Sequence, residues 1–514
     1  MTESVLLYDD VAPHASAMIE SMRAYGYSVP AAIADLVDNS IAANAKNLWL
    51  QFHWSGAGSW ISVTDDGVGM SEEKLKDAMR LGSTSPLHVR DPKDLGRFGL
   101  GLKTASLSQC RRLTVASRRA RGPNVVRRWD LNFLAENPDC GWHLLRQAHP
   151  GSEPLACVPE SLQSGTVVLW ECLDRVAGDT KADDQQRHQH FRATIDQVES
   201  HLAMVFHRYL TGPKARLRIF INDRPVKPWD PFLETHPATQ PSPEEKVTLG
   251  GISDPVRIQG FVLPHKDRMG EGKKGEELHA HASGPAGWNA QQGFYVYRND
   301  RIIVAGSWLG LGDGRPWTKE EHYKLARISV DIPNSMDHLW HLDVKKSSAQ
   351  PPPQIRDWLT VRARRIRSDA RAVFAHRGSY RQRAERRDFT RPWKAVRSNG
   401  TVTYRIDRNH PVIAAVLAST FGSTRAEVEA AFRILEEMVP VEQIWLDAAE
   451  TQITPARPFH GSTSQQVRTL VETSYKAIRR NRKLSHDETV DLLLGCEEFA
   501  DPEARAVIGS LPTI

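Results

Sequence analysis

The sequence predicts an α+β protein: an N-terminal sheet-and-helix module, a second α/β module, and a mostly helical C-terminal region. Three observations carry this reading. Residues 31–42 are apolar at helical spacing and run into two alternating strand segments, 47–54 and 60–64, on either side of Gly56-Ala57-Gly58. Strand-like runs return at 165–170, 215–222, 293–303 and 325–330. From His410 through Glu437, and again toward Ile514, the pattern is helical.

In the first helix, Asp35, Asp38, Asn39 and Ala42 project from one face, while Ile33, Leu36, Val37 and Ile41 fall on the opposite, core-facing side. A polar stripe is therefore expected to look outward from an otherwise apolar helix. The amide oxygen of Asn39 suits Mg²⁺ as a hard ligand, and the Asp35 carboxylate one turn away can orient water against a phosphate. Taken alone, the segment also fits a solvated amphipathic helix.

Leu48, Leu50, Phe52 and Trp54 alternate with Asn47, Trp49, Gln51 and His53, and Trp60-Ile61-Ser62-Val63-Thr64 follows the glycine break. This predicts a hairpin of two half-buried strands. It delivers Asp65 to a strand end in the run Asp65-Asp66-Gly67-Val68-Gly69-Met70, where Gly67 and Gly69 let the backbone approach a flat ligand. A buried Asp65 can accept a hydrogen bond from an amine on such a ligand; an ordinary Asp-Gly turn is the alternative.

The third segment is Gly96-Arg97-Phe98-Gly99-Leu100-Gly101-Leu102-Lys103. Glycine-rich backbone running into a helix start offers free N–H groups to a phosphate. Its Gly-x-x-Gly-x-Gly spacing is not the dinucleotide motif, and Lys103-Thr104 lacks the upstream glycine of a Walker A loop. Residues 82–95, polar and bearing Pro86 and Pro92, are expected to form a lid over the ligand. Gly165-Thr166-Val167-Val168-Leu169-Trp170 predicts a strand returning to the same sheet.

In this order the segments resemble the nucleotide-binding motifs of the GHKL ATPases, the group of gyrase-type topoisomerases, the large heat-shock chaperone, sensor histidine kinases and MutL. The wording of residues 96–106, with Ser21-Met22-Arg23-Ala24-Tyr25-Gly26-Tyr27-Ser28 before the first motif, looks most like MORC-type ATPases and their prokaryotic relatives. The resemblance implies a Bergerat-type ATP-binding sandwich with ATP and Mg²⁺ as ligands. It gives Asn39 the metal and Asp65, Gly67, Gly69, Met70 and Thr166 the adenine end. Gly96, Phe98, Gly99, Leu100, Gly101, Leu102 and Lys103 take the phosphates, and Asp35 stands where the family has its catalytic glutamate. Asp35 is one methylene shorter, and the acidic residue usual after Asn-Ser is Ala42, so binding is expected to be firmer than turnover.

Residues 215–222 read as a strand of the second module, 234–245 as a Pro-rich connection, and Met269 to Ser283 as a polar loop whose His279 and His281 are solvated. Strands follow at 293–303, 325–330 and 340–347. This order resembles the transducer domain that follows the ATPase module in MutL, topoisomerases and MORC ATPases. There a lysine reaches back to the terminal phosphate, and Lys346, then Lys345, are the candidates; a paired surface lysine is the alternative reading. The expected domains are thus 1–185, 186–350, an Arg-rich helical segment 351–397, and a helical region 398–514.

Between Arg356 and Arg397 arginines far outnumber acidic residues, with Trp358, Phe374, Tyr380 and Trp393 interleaved, which suits a phosphate backbone. A solvated helix face is the alternative. The chain of 514 residues is 40% hydrophobic and 25% charged, has no apolar run of membrane-spanning length, and lacks a signal-like N-terminus, so a cytoplasmic protein without membrane contact is expected. Its five cysteines show no metal-ligand spacing and read as reduced structural thiols. The function expected is an ATP-gated dimeric clamp on DNA, hydrolysing slowly, in repair, compaction or defence, with a helicase or nuclease as a conceivable partner. The alternative is a nucleotide-gated scaffold with little hydrolysis and no DNA contact. A histidine kinase ranks below both, because its phosphoacceptor helix would precede the module.

Overall fold

The computed structural model describes residues 13–24, 26–82, 101–137, 141–212, 215–249, 254–337, 339–340, 349–375, 390–398, 401–441, 464–499 and 502–512. The lid beyond Gly82, the glycine loop through Leu100, and both Lys345 and Lys346 lie outside the described residues. The chain forms two compact units, Met1–Tyr380 and Arg381–Ile514.

The first unit opens with α1 (Ala15–Arg23) and α2 (Val29–Ala42). Ser28 caps α2 by accepting from the Ala31 N–H, and Pro30 sits in the first turn where its missing N–H costs nothing. Next come β1 (Asn47–His53), β2 (Trp60–Asp65), α3 (Glu72–Met79), α4 (Gly101–Leu107), β3 (Arg112–Arg118), β4 (Val125–Asp130), α5 (Leu131–Glu136) and β5 (Gly165–Glu171). The long α6 (Gln185–Val205) and short α7 (His207–Leu210) lead to β6 (Arg218–Ile221) and β7 (Arg224–Pro225). The sheet order is β4-β3-β5-β2-β1-β6-β7, antiparallel throughout except for the parallel pair β1 and β6. The α+β class predicted from the sequence is the class observed.

Strand β6 was expected in the second module, but it lies in the first sheet beside β1. The reason is local: the Arg218 N–H bonds the Lys46 carbonyl, and Leu217, Ile219 and Ile221 bury in the same core as Leu48 and Leu50. Each such aliphatic side chain contributes about 1.5–3 kcal/mol on burial.

A second sheet holds β8 (Gln240–Pro241), β9 (Glu245–Val247), β10 (Val256–Val262), β11 (Gly293–Arg298), β12 (Arg301–Ser307) and, after the small β13 (Gly312–Asp313) and β14 (Arg315–Pro316) ladder, β15 (Ala326–Ile332). Its order is β12-β11-β15-β10-β8, with β9 also paired to β10. Between β10 and β11 lie α8 (Gly272–Ala282) and α9 (Gly287–Ala290). The loop expected over Met269–Ser283 is therefore mostly helical. Gly275 is a packing residue here: a Cβ on it would stand 2.2 Å from the Gly270 carbonyl oxygen. Helix α10 (Pro353–Ala375) lays Ile355, Leu359, Ala363, Ile366, Ala370 and Val373 on the sheet, and Gly260 of β10 leaves room for the Ile366 side chain.

The two sheets share one core. Phe261, Tyr295, Tyr297 and Ile302 of the second sheet pack in the same cluster as Phe206, Tyr209 and Phe232. Polar bonds reinforce the junction: His207 Nε2 lies 2.7 Å from the Tyr297 hydroxyl, and Arg208 reaches Asp331 at 2.6 Å.

In the second unit β16 (Trp393–Ser398) and β17 (Thr401–Ile406) form an antiparallel hairpin. Residues 393–397 were expected to belong to the Arg-rich helical segment. Alternating Val396, Val402, Tyr404 and Ile406 around an Asn-Gly pair favour the hairpin instead. α11 (Pro411–Ser419) and α12 (Gly422–Glu437) follow, then helices Ser464–Arg482, His486–Leu494 and Pro502–Gly509. Among the described residues no helix is long and apolar enough to cross a membrane.

Candidate functional site

Of the residues singled out in the sequence, Asp65, Gly67, Gly69, Met70 and Thr166 meet at one end of the first sheet. Asp65 ends β2, only 7% exposed. Its Oδ1 accepts from the Gly67 N–H at 2.9 Å, and its Oδ2 accepts from the Ser40 hydroxyl at 3.0 Å. Ser40 belongs to α2, so this bond ties the first motif to the second. Burial pushes the Asp65 carboxyl up, against the lowering effect of the bonds from Gly67, Ser40 and Thr166.

The β2–β5 register sets Thr166 opposite Asp65, and the β3–β5 register sets it opposite Ser117. The Thr166 and Ser117 hydroxyls are 3.0 Å apart, and Ser117 Oγ also accepts from the Met70 N–H at 2.8 Å. Backbone at Gly67 and Gly69 runs tight against its neighbours. A Cβ on Gly67 would meet Ala43 at 2.8 Å, and one on Gly69, whose φ is +65°, would meet the Arg118 carbonyl oxygen at 2.0 Å. Asp65, Gly67, Gly69, Met70 and Thr166 thus share one neighbourhood. Ser40 and Ser117 join it without having been anticipated; Ser117 carried no sequence signal at all.

The other end of the site lies along α2. Asn39 is exposed, and its side-chain amide makes no hydrogen bond to another described residue, which leaves its oxygen available to a hard cation. Gly101 opens α4 with its hydrogen side facing Asp35: a Cβ there would sit 3.5 Å from Asp35 Oδ2. This joins the third motif to the first. Leu102 is partly buried against the core.

Lys103 is placed differently from its neighbours. Its ammonium donates to the Ala78 and Arg80 carbonyl oxygens at 3.0 and 2.9 Å, at the C-terminal end of α3. Burial lowers it to about 8. A phosphate contact would require it to leave these carbonyls. Gly96, Phe98, Gly99, Leu100, Lys345 and Lys346 fall outside the described residues.

Of the outward-looking polar stripe expected on α2, Asn39 is exposed as expected, but the two aspartates are covered. Asp35 and Asp38 are only 4% and 2% exposed. The cover is Arg301, first residue of β12, delivered by a tight two-residue turn in which Asn299 and Asp300 both have positive φ. Arg301 Nε is 2.8 Å from Asp38 Oδ1, and its Nη2 is 3.9 Å from Asp35 Oδ1. Burial, and next the Arg301 charge, push the nearby His201 down to about 4. A cavity of about 790 Å³ opens beside Arg301 between α6, β12 and the start of α10.

The Arg-rich helix α10 is only partly free for a polyanion. Arg362 pairs with Glu245, Arg364 with Asp313, and the buried Arg367 stacks its guanidinium on Tyr323 at 3.7 Å and on Trp308 and Trp317 at 4.6 Å. Arg365 and Arg371 are exposed.

Residues 27–153 match the family model of histidine kinase-, DNA gyrase B- and HSP90-like ATPases. The chain is 31% identical over 88 residues to the ATPase morc-1 of Caenorhabditis elegans, covering 17% of this chain and 10% of that protein. It is 34% identical over 120 residues to the DNA mismatch repair protein MutL of Shewanella sediminis, covering 23% of this chain and 18% of that protein. With the MutL of Shewanella oneidensis it shares 31% identity over 237 residues, 45% of this chain and 34% of that protein. The chain therefore spans between a tenth and a third of the length of these curated relatives.

Proposed function

This chain belongs to the GHKL ATPase superfamily through residues 27–153, and from that premise we propose that it binds Mg-ATP and hydrolyses it slowly. The observation that carries the reading is the convergence of four sequence segments through direct contacts. Ser40 bonds Asp65, Asp65 faces Thr166 in register, and Gly101 abuts Asp35.

Adenine's exocyclic amine donates to Asp65, held acceptor-ready by Ser40 and Gly67, while Thr166 and the Met70 backbone border the base. Asn39 would hold Mg²⁺, which neutralises phosphate charge when bound. Asp35 orients or deprotonates the attacking water. As an aspartate it reaches less far than a glutamate, so turnover is slow.

We further propose that ATP closes the lid, brings two copies together, and that Lys346, with Lys345 second, senses the terminal phosphate. The closed dimer clamps DNA; this part is supported by the names of the relatives, one of them a DNA mismatch repair protein, and by the exposed arginines of α10. A nucleotide-gated scaffold without DNA contact is the competing reading, favoured by the internal pairing of Arg362, Arg364 and Arg367.

The test is calorimetry with Mg-ATP and steady-state phosphate release. Asn39→Ala should abolish Mg-ATP binding, and Asp35→Ala should keep affinity while lowering turnover by about 10²-fold or more. Undiminished Mg-ATP binding by the Asn39 variant would sink the site assignment.

A further inference from the structure

Far from the nucleotide site in sequence, the second unit gathers three side chains of a kind that binds transition metals. A nitrogen of His410, the sulfur of Cys496 and a carboxylate oxygen of Glu498 all lie within 4.8 Å of one another. His410 Nε2 and Glu498 Oε1 are 3.2 Å apart. Tetrahedral zinc, with bonds of about 2.0–2.3 Å, needs its ligand atoms roughly 3.3–3.7 Å apart, so closure asks for shifts of only about 1 Å.

The burial makes the cluster informative. His410 is 1% exposed and Cys496 is fully buried. Neither ring nitrogen of His410 makes a hydrogen bond of good geometry, and Glu498 Oε2 is likewise buried without one. Leaving such groups unsatisfied costs roughly 1–3 kcal/mol each. A protonated His410 paired with Glu498 would satisfy one nitrogen, strand the other, and give the thiol no part.

We propose that His410, Cys496 and Glu498 form a structural metal site of the zinc class. The donor set of imidazole, thiolate and carboxylate selects zinc-like ions over Mg²⁺ or Ca²⁺. On binding, the Cys496 thiol gives up its hydrogen bond to the Leu492 carbonyl oxygen, releases its proton to solvent, and coordinates as thiolate. Water takes the fourth position. The ligands come from the residue capping α11, the residue that follows the C-cap of the helix His486–Leu494, and the turn Glu497–Phe499, so one ion staples the start of α11 to the C-terminal helices. Thr390 N–H bonding the Gly495 carbonyl oxygen at 3.0 Å fixes the backbone beside Cys496 in advance.

The experiment uses the full chain, stripped with a chelator and titrated with Co²⁺ and then Zn²⁺. One equivalent of Co²⁺ should give the intense visible bands of a tetrahedral site and a near-ultraviolet thiolate-to-cobalt band, both displaced by Zn²⁺. Cys496→Ser should erase the thiolate band, and His410→Ala should weaken Zn²⁺ at least about tenfold, whereas Cys157→Ser, an exposed thiol elsewhere, should change neither. Zinc, but not Mg²⁺, should raise the melting temperature of the stripped wild-type chain, a readout that does not depend on any variant folding. A cobalt spectrum without a thiolate band, or one unchanged in Cys496→Ser, would overturn the proposal.

Discussion

Arg301, at the start of β12, lies 2.8 Å from Asp38 and ties the second sheet to α2 beside the candidate catalytic Asp35. All three side chains are at most 5% exposed. Two carboxylates and one guanidinium buried together are stable only as a set. Arg301→Met should therefore destabilise the chain by about 3–5 kcal/mol, because it takes a buried guanidinium counter-charge away from two buried carboxylates. Adding Asp38→Asn should recover much of that loss. Urea unfolding of both single variants and the double variant measures the coupling, and strictly additive losses would mean that the contact contributes nothing.

Asp65→Asn tests the base-reading end. The Ser40 hydroxyl and the Gly67 N–H both donate to this side chain, so an amide would have to turn its NH₂ toward one of these donors or toward the adenine amine. ATP affinity should fall by about tenfold or more, with a larger loss for ATP than for GTP. Equal losses for both nucleotides, measured by calorimetry, would take base recognition away from Asp65.

What the sequence revealed and what it hid separate by range of interaction. α2, the β1–β2 hairpin, and the tight backbone at Gly67 and Gly69 beside Asp65 were legible because their periodicity and turn chemistry are local. The covering of Asp35 and Asp38 was not, since Arg301 arrives from a turn more than 250 residues downstream and looks there like any charged hairpin residue. Glycines misled at α8, where Gly275 serves a close approach to Gly270 and breaks no helix. Arginine counting misled at Arg367, whose guanidinium is packed among aromatic rings. His410, Cys496 and Glu498 escaped notice because their proximity belongs to the tertiary fold alone.

Buried histidines at the junction of the sheets should make the first unit acid-sensitive. Burial is the main cause that lowers His207 to about 3 and His201 to about 4. In both cases the folded state resists protonation that the unfolded chain accepts near pH 6.5. Their contribution is therefore fully present above about pH 6.5 and is lost as pH falls toward 4, by roughly 2 kcal/mol for each residue at pH 5. Raised carboxyls such as Asp65 and Glu234 act in the opposite sense, so the comparison must be between variants. His207→Gln can keep the bond to the Tyr297 hydroxyl while removing the titration. Urea midpoints at pH 7.5 and 5 should differ less in this variant than in wild type; an unchanged difference would show that His207 titrates normally.

DNA binding, if it runs through α10, must use exposed arginines such as Arg365 and Arg371. Arg365→Ala with Arg371→Ala should weaken DNA binding and flatten the dependence of log affinity on log salt by about 0.9 for each phosphate no longer neutralised, with ATP affinity unchanged. Arg367→Ala should behave otherwise: it empties the space between Trp308, Trp317 and Tyr323 and lowers stability before it touches DNA. If ATP-driven closure holds the polymer, a non-hydrolysable analogue should slow DNA dissociation, and Lys346→Ala should cancel that slowing by cutting the link to the terminal phosphate. Dissociation rates with and without the analogue, at two salt concentrations, separate these effects. Absence of DNA binding at low salt would leave Arg365 and Arg371 as a solvated face and make the nucleotide-gated scaffold the better account.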